Sequence, residues 1–303
     1  MTSKIGFRGE RIGVLAVTYN QCDLTVRFVE MFLRAFANAG VYLLVLDNNS
    51  SDGTVEISRK QFPDVDIRRL NDNYGCVTGR NIGVIELYKL GCDIIYITDN
   101  DIVIENRDFF HYMELFLSTH PDIVGCCPVV RWADDRNIQT LGSRRVSRIR
   151  TKNISMVDSN QSVSSLPGCA QFIRTEAFKK YGLYDNDLSP LSLEDYEWGM
   201  RATKMGAKLC YNPEAEVLHL HDRTKRDSAE KIGHLITGRM VYLRKHFSPT
   251  RMLQELRFLI PTAREYGIAF TLRHYLNGAA KRIHRQNYDF EVFMQQGVKR
   301  YYA

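Results

Sequence analysis

The sequence predicts an α/β protein, a mostly parallel sheet with helices on both faces, followed by a helical C-terminal appendage. Three observations carry this. Short apolar runs rich in β-branched residues alternate with stretches of helical spacing through the first half. Three of the runs end in polar clusters, Thr18-Tyr19-Asn20, Asp47-Asn48-Asn49 and Asp99-Asn100-Asp101. After Pro249 the pattern changes to basic and aromatic residues on amphipathic segments. The predicted organisation is a main body over 1–247 and a basic amphipathic helical segment over 248–303.

Arg11 to Asn20 begins as an apolar run and ends polar, which suits a buried parallel strand and its exit loop. Asp23 opens a helix with an apolar side from Val26 to Phe36. Val41 to Leu46 is a second buried strand, Asp52-Gly53 a turn, and Thr54 the start of another helix. Val65 to Leu70 is a third strand. The Gly/Asn-rich stretch 71–83 then leads into a helix over Thr78 to Leu90. Ile94 to Thr98 and Ile123 to Val130 are the fourth and fifth strands. Trp132 to Ser165 is a polar, basic excursion or hairpin. Gln171 to Tyr181 and Asp195 to Met205 have helical spacing, Lys208 to Tyr211 and Ala215 to His221 read as strands, and Ser228 to Phe247 is helical. No internal repeat is present.

The net charge is +6 over 303 residues. From Arg251 onward there are nine Lys/Arg against four Asp/Glu, so nearly all the excess sits in the tail. A near-neutral body does not look like a nucleic-acid binder. Seven scattered cysteines without a CxxC pair argue against both a disulfide framework and a zinc cage. There is no apolar run long enough to span a bilayer, and Met1 to Glu10 lacks the apolar centre of a secretory signal. The expected location is the cytoplasm, with a peripheral place on the inner face of the cell membrane open.

In a parallel α/β sheet, ligands bind at the carboxyl ends of strands. The three polar clusters fall there, which points to one shared site. Asp99 and Asp101 follow a buried strand and offer the carboxylate oxygens that a hard divalent cation needs. The plain alternative is a solvated loop. Glu194-Asp195 opens a helix whose dipole and free N–H groups can orient a carboxylate as a general base, with neighbouring acids offsetting the loss of basicity. The alternative is simple helix capping. His219 and His221, two apart on a strand, face one side, and either can complete a metal site with Asp101. Arg144, Arg145, Arg148 and Arg150 form a basic cluster that fits an anionic acceptor or an ordinary solvated loop. The tail fits an anionic membrane surface, packing on the body, or a contact in a homo-oligomer.

The order of these motifs carries a resemblance. Thr18-Tyr19-Asn20 is followed by Asp47 to Thr54, then by Asn71 to Gly75 with Gly79-Arg80-Asn81-Ile82-Gly83. Asp99-Asn100-Asp101, Pro167-Gly168-Cys169-Ala170, Glu194-Asp195 and His219 complete the series. From Arg11 to Phe247 the chain resembles glycosyltransferase family 2, of the GT-A fold, especially rhamnosyltransferase-like and galactofuranosyltransferase-like members. The resemblance implies an inverting hexosyl- or deoxyhexosyltransferase that uses Mn²⁺ or Mg²⁺. Its donor would be a UDP- or dTDP-sugar, and its acceptor a hydroxyl of a glycan or lipid-linked oligosaccharide in surface polysaccharide synthesis.

The resemblance also implies roles. Thr18, Tyr19, Asn20, Asp47 and Asn49 would line the nucleotide pocket, and Arg80 and Asn81 would lie near the base or diphosphate. Asp99 and Asn100 share the ribose role, and Asp99 also stands beside Asp101 and His219 as a metal contact, with His221 the alternative. Gly168 would sit in the loop by the sugar. Asp195 would be the base, with Glu194 tuning it. Two other readings compete. A sugar-nucleotide nucleotidyltransferase needs a Gly-rich basic loop after the first strand, whereas residues 18–23 carry neither Gly nor Lys. A non-catalytic nucleotide-sugar or glycan-binding module has no use for the full acid and histidine set.

Overall fold

A computed structural model describes residues 10–146, 151–189, 193–220, 228–248, 259–284 and 288–302. His221, Arg148, Arg150 and the tail residues Leu253, Leu256 and Phe258 lie outside the described residues.

Strand β1 (Ile12–Thr18) pairs in parallel with β2 (Tyr42–Asp47) on one side and β4 (Ile94–Thr98) on the other, and β3 (Asp66–Arg69) extends the sheet beyond β2. Helix α1 (Cys22–Phe36) buries Phe28, Phe32 and Phe36, four residues apart and so on one face. Phe32 and Phe36 meet Phe110 of helix α4 (Phe109–Thr119) edge-on. Helix α2 (Thr54–Gln61) follows the Asp52-Gly53 turn, where Gly53 takes φ +83°. Helix α3 (Gly75–Lys89) is buried nearly all round. It can lie so close to the sheet because a Cβ on Gly79 would be 2.9 Å from Val17 Cγ1, and one on Gly83 would run into Leu15. The helix begins three residues earlier than the sequence spacing predicted.

The other half of the sheet is mixed. Strand β11 (Ala170–Arg174) runs antiparallel between β4 and β6 (Ile123–Trp132), and β12 (Lys208–His219) pairs in parallel with β6. The short strand β5 (Ile102–Val103), directly after the Asp99–Asp101 turn, adds to β12. Residues 132–165 carry β7 (Ile138–Thr140) on β6, the hairpin β8 (Ser143–Arg145) with β9 (Thr151–Asn153), and β10 (Ser162–Val163) on β12. Two expectations are corrected. Residues 171–174 are strand, and only α5 (Thr175–Tyr181) is helical. Ala170, Gln171, Phe172 and Ile173 are all buried, and such a run has no periodicity to tell strand from helix. The two strands expected over 208–221 are one strand through His219, broken by an irregularity between Asn212 and Glu216.

Helix α6 (Glu194–Lys204) follows the loop after α5, and α7 (Ala229–His246) lies behind it. Helix α8 (Leu259–Tyr266) leads into α9 (Ile268–Ala280), which packs on α7, where Arg244 Nη1 donates to the Gly278 and Lys281 carbonyls at 2.9 and 2.7 Å. Phe290 and Phe293 of α10 (Phe290–Gln296), with Val298, join the main core cluster. The chain then adds to the end of β3. Asn71 N donates to the Tyr301 carbonyl at 2.9 Å, and Leu70 bridges Tyr302. Lys245, nearly buried, reaches the buried carboxylates of Asp185 and Asp187, both at 2.6 Å. Lys245 and the 301–302 segment are thus fastened to the loops that precede α6 and α3, respectively.

Candidate active site

The β1, β2 and β4 tips meet at one edge. Strand β4 ends at Thr98, so Asp99 and Asp101 project from a turn that β5 pins to β12. That pairing brings His219 to Asp101, with Nε2 3.3 Å from Oδ1. Ligand atoms of Asp99, Asp101 and His219 all lie within 4.8 Å of one another. Two carboxylates and an imidazole at that spacing suit Mn²⁺ or Mg²⁺. His219 Nδ1 sits 2.9 Å from Gln139 Oε1, so Nδ1–H donates there and leaves the Nε2 lone pair facing Asp101. The ring also lies parallel to Trp132, 6.3 Å between centroids. Gln139 was not read from the sequence. It stands on a three-residue strand inside a polar excursion, and no spacing rule marks it.

The general-base candidate lies across the cleft. Leu193 takes φ +87°, outside the helical region, and turns the start of α6 toward the Gly168 loop. A non-glycine residue held there costs about 1–3 kcal/mol, and such strain gathers at functional sites. Asp195 Oδ2 accepts from Gly168 N at 2.8 Å and Oδ1 from Tyr196 N at 2.7 Å. Burial pushes its carboxyl up, against the pull of Arg80 and those backbone donors. Burial likewise raises Glu194 to about 7, with Arg80 opposing and the Asp195 charge adding to the rise. Both carboxyls therefore move toward the pKa a general base needs near neutrality.

Arg80 joins the two halves. It is 4% exposed, and its Nη1 donates to Glu194 at 2.6 Å while Nη2 donates to Asp99 and to the Gly168 carbonyl, both at 3.0 Å. The expectation that Arg80 lies near a diphosphate is refined: this guanidinium first holds two acids. A cleft of about 440 Å³ opens beside the pair and is lined by Asp195, Tyr196, Gly168, Leu193 and His219.

Four side chains expected in the nucleotide pocket are buried and bonded within the protein. Thr18 is buried, its hydroxyl 2.8 Å from that of Thr25. Asn100 is buried beneath them and donates to Thr25 and Thr18 at 3.0 and 3.3 Å. Asp47 is fully buried and accepts from Ser50 N at 2.8 Å, with Arg69 Nε at 3.6 Å. Asn81 is fully buried, with its amide bonded to Tyr184 O at 2.9 Å, Tyr184 N at 3.0 Å and Asn186 at 3.0 Å. These side chains brace the loops rather than face the cleft. Tyr19, Asn20 and Asn49 remain open at that corner, and both asparagines adopt positive φ, which Asn tolerates. In the basic excursion, Arg144 pairs with Asp158 at 2.9 Å, and Arg145 reaches Thr203 and the Met200 carbonyl, both at 3.3 Å. Those two arginines are engaged within the protein.

A central, mostly parallel sheet flanked by helices, with acids at the tip of a central strand, has the architecture of the GT-A class of α/β proteins. The chain belongs to the family described as glycosyltransferase like family 2, whose model matches residues 10–233. No curated protein matches it. Among solved structures it is similar to GalNAc-T7 with UDP, GalNAc and Mn²⁺, at 15% identity and TM-score 0.63, covering 88% of this chain and 55% of that one. It is also similar to the mannosyltransferase PcManGT from Pyrobaculum calidifontis in complex with GDP-Man and Mn²⁺, at 16% identity and TM-score 0.59, covering 95% and 79%. Residues 1–349 of S. aureus TarS match at 15% identity and TM-score 0.55, covering 91% and 93%. The chain spans about half the length of GalNAc-T7. At these identities the likeness is one of fold.

Proposed function

We propose that the protein is an inverting, metal-dependent glycosyltransferase. It would move a hexosyl or deoxyhexosyl unit from a nucleotide-diphosphate sugar to a hydroxyl of a glycan or lipid-linked acceptor, in surface polysaccharide synthesis. The observation that carries this is a cleft lined by Asp195 and by His219 of the Asp99/Asp101/His219 set, with Arg80 bonded to both Asp99 and Glu194. The bound UDP, GDP-Man and Mn²⁺ of the fold neighbours favour the same donor class.

Asp99, Asp101 and His219 would hold Mn²⁺ or Mg²⁺. When bound, the ion supplies Lewis-acid neutralisation of the departing diphosphate. Asp195 takes the proton of the acceptor hydroxyl, and that oxygen attacks the anomeric carbon opposite the diphosphate. The bond from that carbon to the diphosphate oxygen breaks, and its electron pair leaves with the nucleoside diphosphate. Gly168 N and Tyr196 N hold the two Asp195 oxygens in line, and the exposed Tyr19, Asn20 and Asn49 would meet the nucleotide.

Incubation with UDP-, dTDP- and GDP-sugars and Mn²⁺ tests the reading. Release of nucleoside diphosphate is expected, and Asp195→Asn should slow it by about 10²–10⁴ while Mn²⁺ binding is kept. Conversion of the nucleotide sugar to nucleoside triphosphate and sugar 1-phosphate when pyrophosphate is added would refute it in favour of a nucleotidyltransferase. An undiminished rate in Asp195→Asn would refute the base assignment.

A further inference from the structure

Helix α9 presents an apolar face that nothing among the described residues covers. Ile268, Leu272 and Leu276 stand four residues apart, hence on one face, and are 69%, 49% and 60% exposed. Ala269 and Ala280 lie on the same side and are also exposed. The opposite face is the packed one. Thr271 and Gly278 are buried, and a Cβ on Gly278 would sit 2.6 Å from Met240 Cβ of α7. The helix is therefore seated firmly on the body with its larger aliphatic side chains turned out. That is the reverse of what burial alone would select.

The charges around this face identify its occupant. From Tyr266 to His284 the chain carries Arg273, Lys281 and Arg282 and no acid. Arg273 is exposed at the border of the stripe, and Arg282 is exposed just beyond the helix end. The exposed acids on the flanking helices are Glu265 on α8 and Glu230 on α7, with Arg264 and Lys231 beside them. An isologous contact between two copies would set cationic, acid-free stripes against each other with no opposite charge to meet them. An anionic lipid surface satisfies both features, since the aliphatic side chains enter the acyl boundary while the cations meet headgroups. None of the described helices is long and apolar enough to cross a membrane, so the contact would lie in the plane of the interface.

We propose that the outer face of α9 docks the protein on an anionic lipid surface through Ile268, Leu272 and Leu276, with Arg273 and Arg282 at its rim. The placement suits a membrane-borne acceptor. Lys281, at the end of α9, donates to the Ser189 carbonyl at 2.9 Å, in the loop that precedes the Asp195 helix. The docking claim stands apart from the transfer reaction, because it concerns a different face and is read without turnover.

Co-sedimentation of the whole chain with phosphatidylcholine vesicles, with and without 30% phosphatidylglycerol, at physiological salt tests it. Binding to the anionic vesicles is expected. The variant Ile268→Ser/Leu272→Ser/Leu276→Ser should lose it by more than a hundredfold, and Arg273→Gln should weaken it about fivefold. Since all these side chains are exposed, the variants should keep the wild-type melting curve, and light scattering should show an unchanged oligomeric state. The proposal is overturned if the wild type stays in solution with anionic vesicles, or if the triple variant binds as well as the wild type. It is equally overturned if the wild type is a dimer that the triple variant converts to a monomer, which would make α9 an interface between copies.

Discussion

Replacing Glu194 with Gln should stabilise the metal-free protein, and only over a defined pH range. Glu194 is about one-eighth exposed and is bonded through Oε1 to Arg80. Its carboxyl is raised from 4.5 to about 7, by burial first and by the Asp195 charge next, with Arg80 holding it back. At about 1.4 kcal/mol per pH unit, that difference means the ionised group costs the fold roughly 3 kcal/mol. The sign follows from proton linkage. A carboxyl that binds its proton more tightly when folded imposes no cost below pH 4.5, where both states are protonated. Stability is lost as pH rises from 4.5 to about 7, and the loss is constant above that. Gln keeps the shape and an oxygen for Arg80 but does not titrate. Denaturant unfolding with EDTA, at pH values from 4 to 8.5, should therefore show Glu194→Gln and wild type alike near pH 4. The variant should be more stable by up to about 3 kcal/mol at pH 8. A difference that does not vary with pH, or a variant less stable at pH 8, would refute the argument that burial governs this group.

Gln139→Leu should raise the Mn²⁺ dissociation constant about 10–100-fold by freeing the His219 ring, and calorimetric titration with Mn²⁺ measures it. Lys245→Met removes the ammonium shared by two buried carboxylates, Asp185 and Asp187, and should cost about 3–5 kcal/mol in chemical denaturation. Gly168→Ala places a Cβ 3.2 Å from Asp195 Oδ2 and 3.3 Å from Arg80 Nη1. Displacing the base should lower kcat about tenfold or more in a coupled assay for nucleoside diphosphate release, with Mn²⁺ affinity unchanged.

The parallel strands β1, β2 and β4 were legible because each is a short apolar run that ends in polar residues, and that ending pointed to the candidate site. The acids were legible for the same reason: Asp99 and Asp101 follow a buried strand, and Glu194 and Asp195 open a helix. Side-chain direction was not. Thr18, Asp47, Asn81 and Asn100 belong to the right motifs, yet their polar atoms are consumed in bracing loops. A sequence fixes which groups are near a strand end, and packing decides which of them face inward. Strand β11 was missed because burial on both sides erases periodicity. The tail's apolar residues divide into two fates that composition cannot separate. Phe290 and Phe293 enter the main core, while the aliphatic stripe of α9 remains outside.

Arg80 shows how the fold reaches the chemistry. Asp99, Asp101, Glu194 and Asp195 place four carboxylates around the site, and the guanidinium bonded directly to Asp99 and Glu194 is its fixed cation. Its three partners, Glu194, Asp99 and the Gly168 carbonyl, lie in different directions. A planar fork can serve them together, and a lysine ammonium on a flexible stem cannot hold the same geometry. The depth of that fork is set by the small residues of α3. Gly79 and Gly83 let the helix close on Val17 and Leu15 of β1, which carries Arg80 beneath both acids. Enlarging either glycine would push the helix off the sheet and withdraw the cation from Asp99 and Glu194 at once. The GRNIG stretch therefore acts on the acids through packing, and Arg80→Lys should disturb the metal half and the base half of the site together.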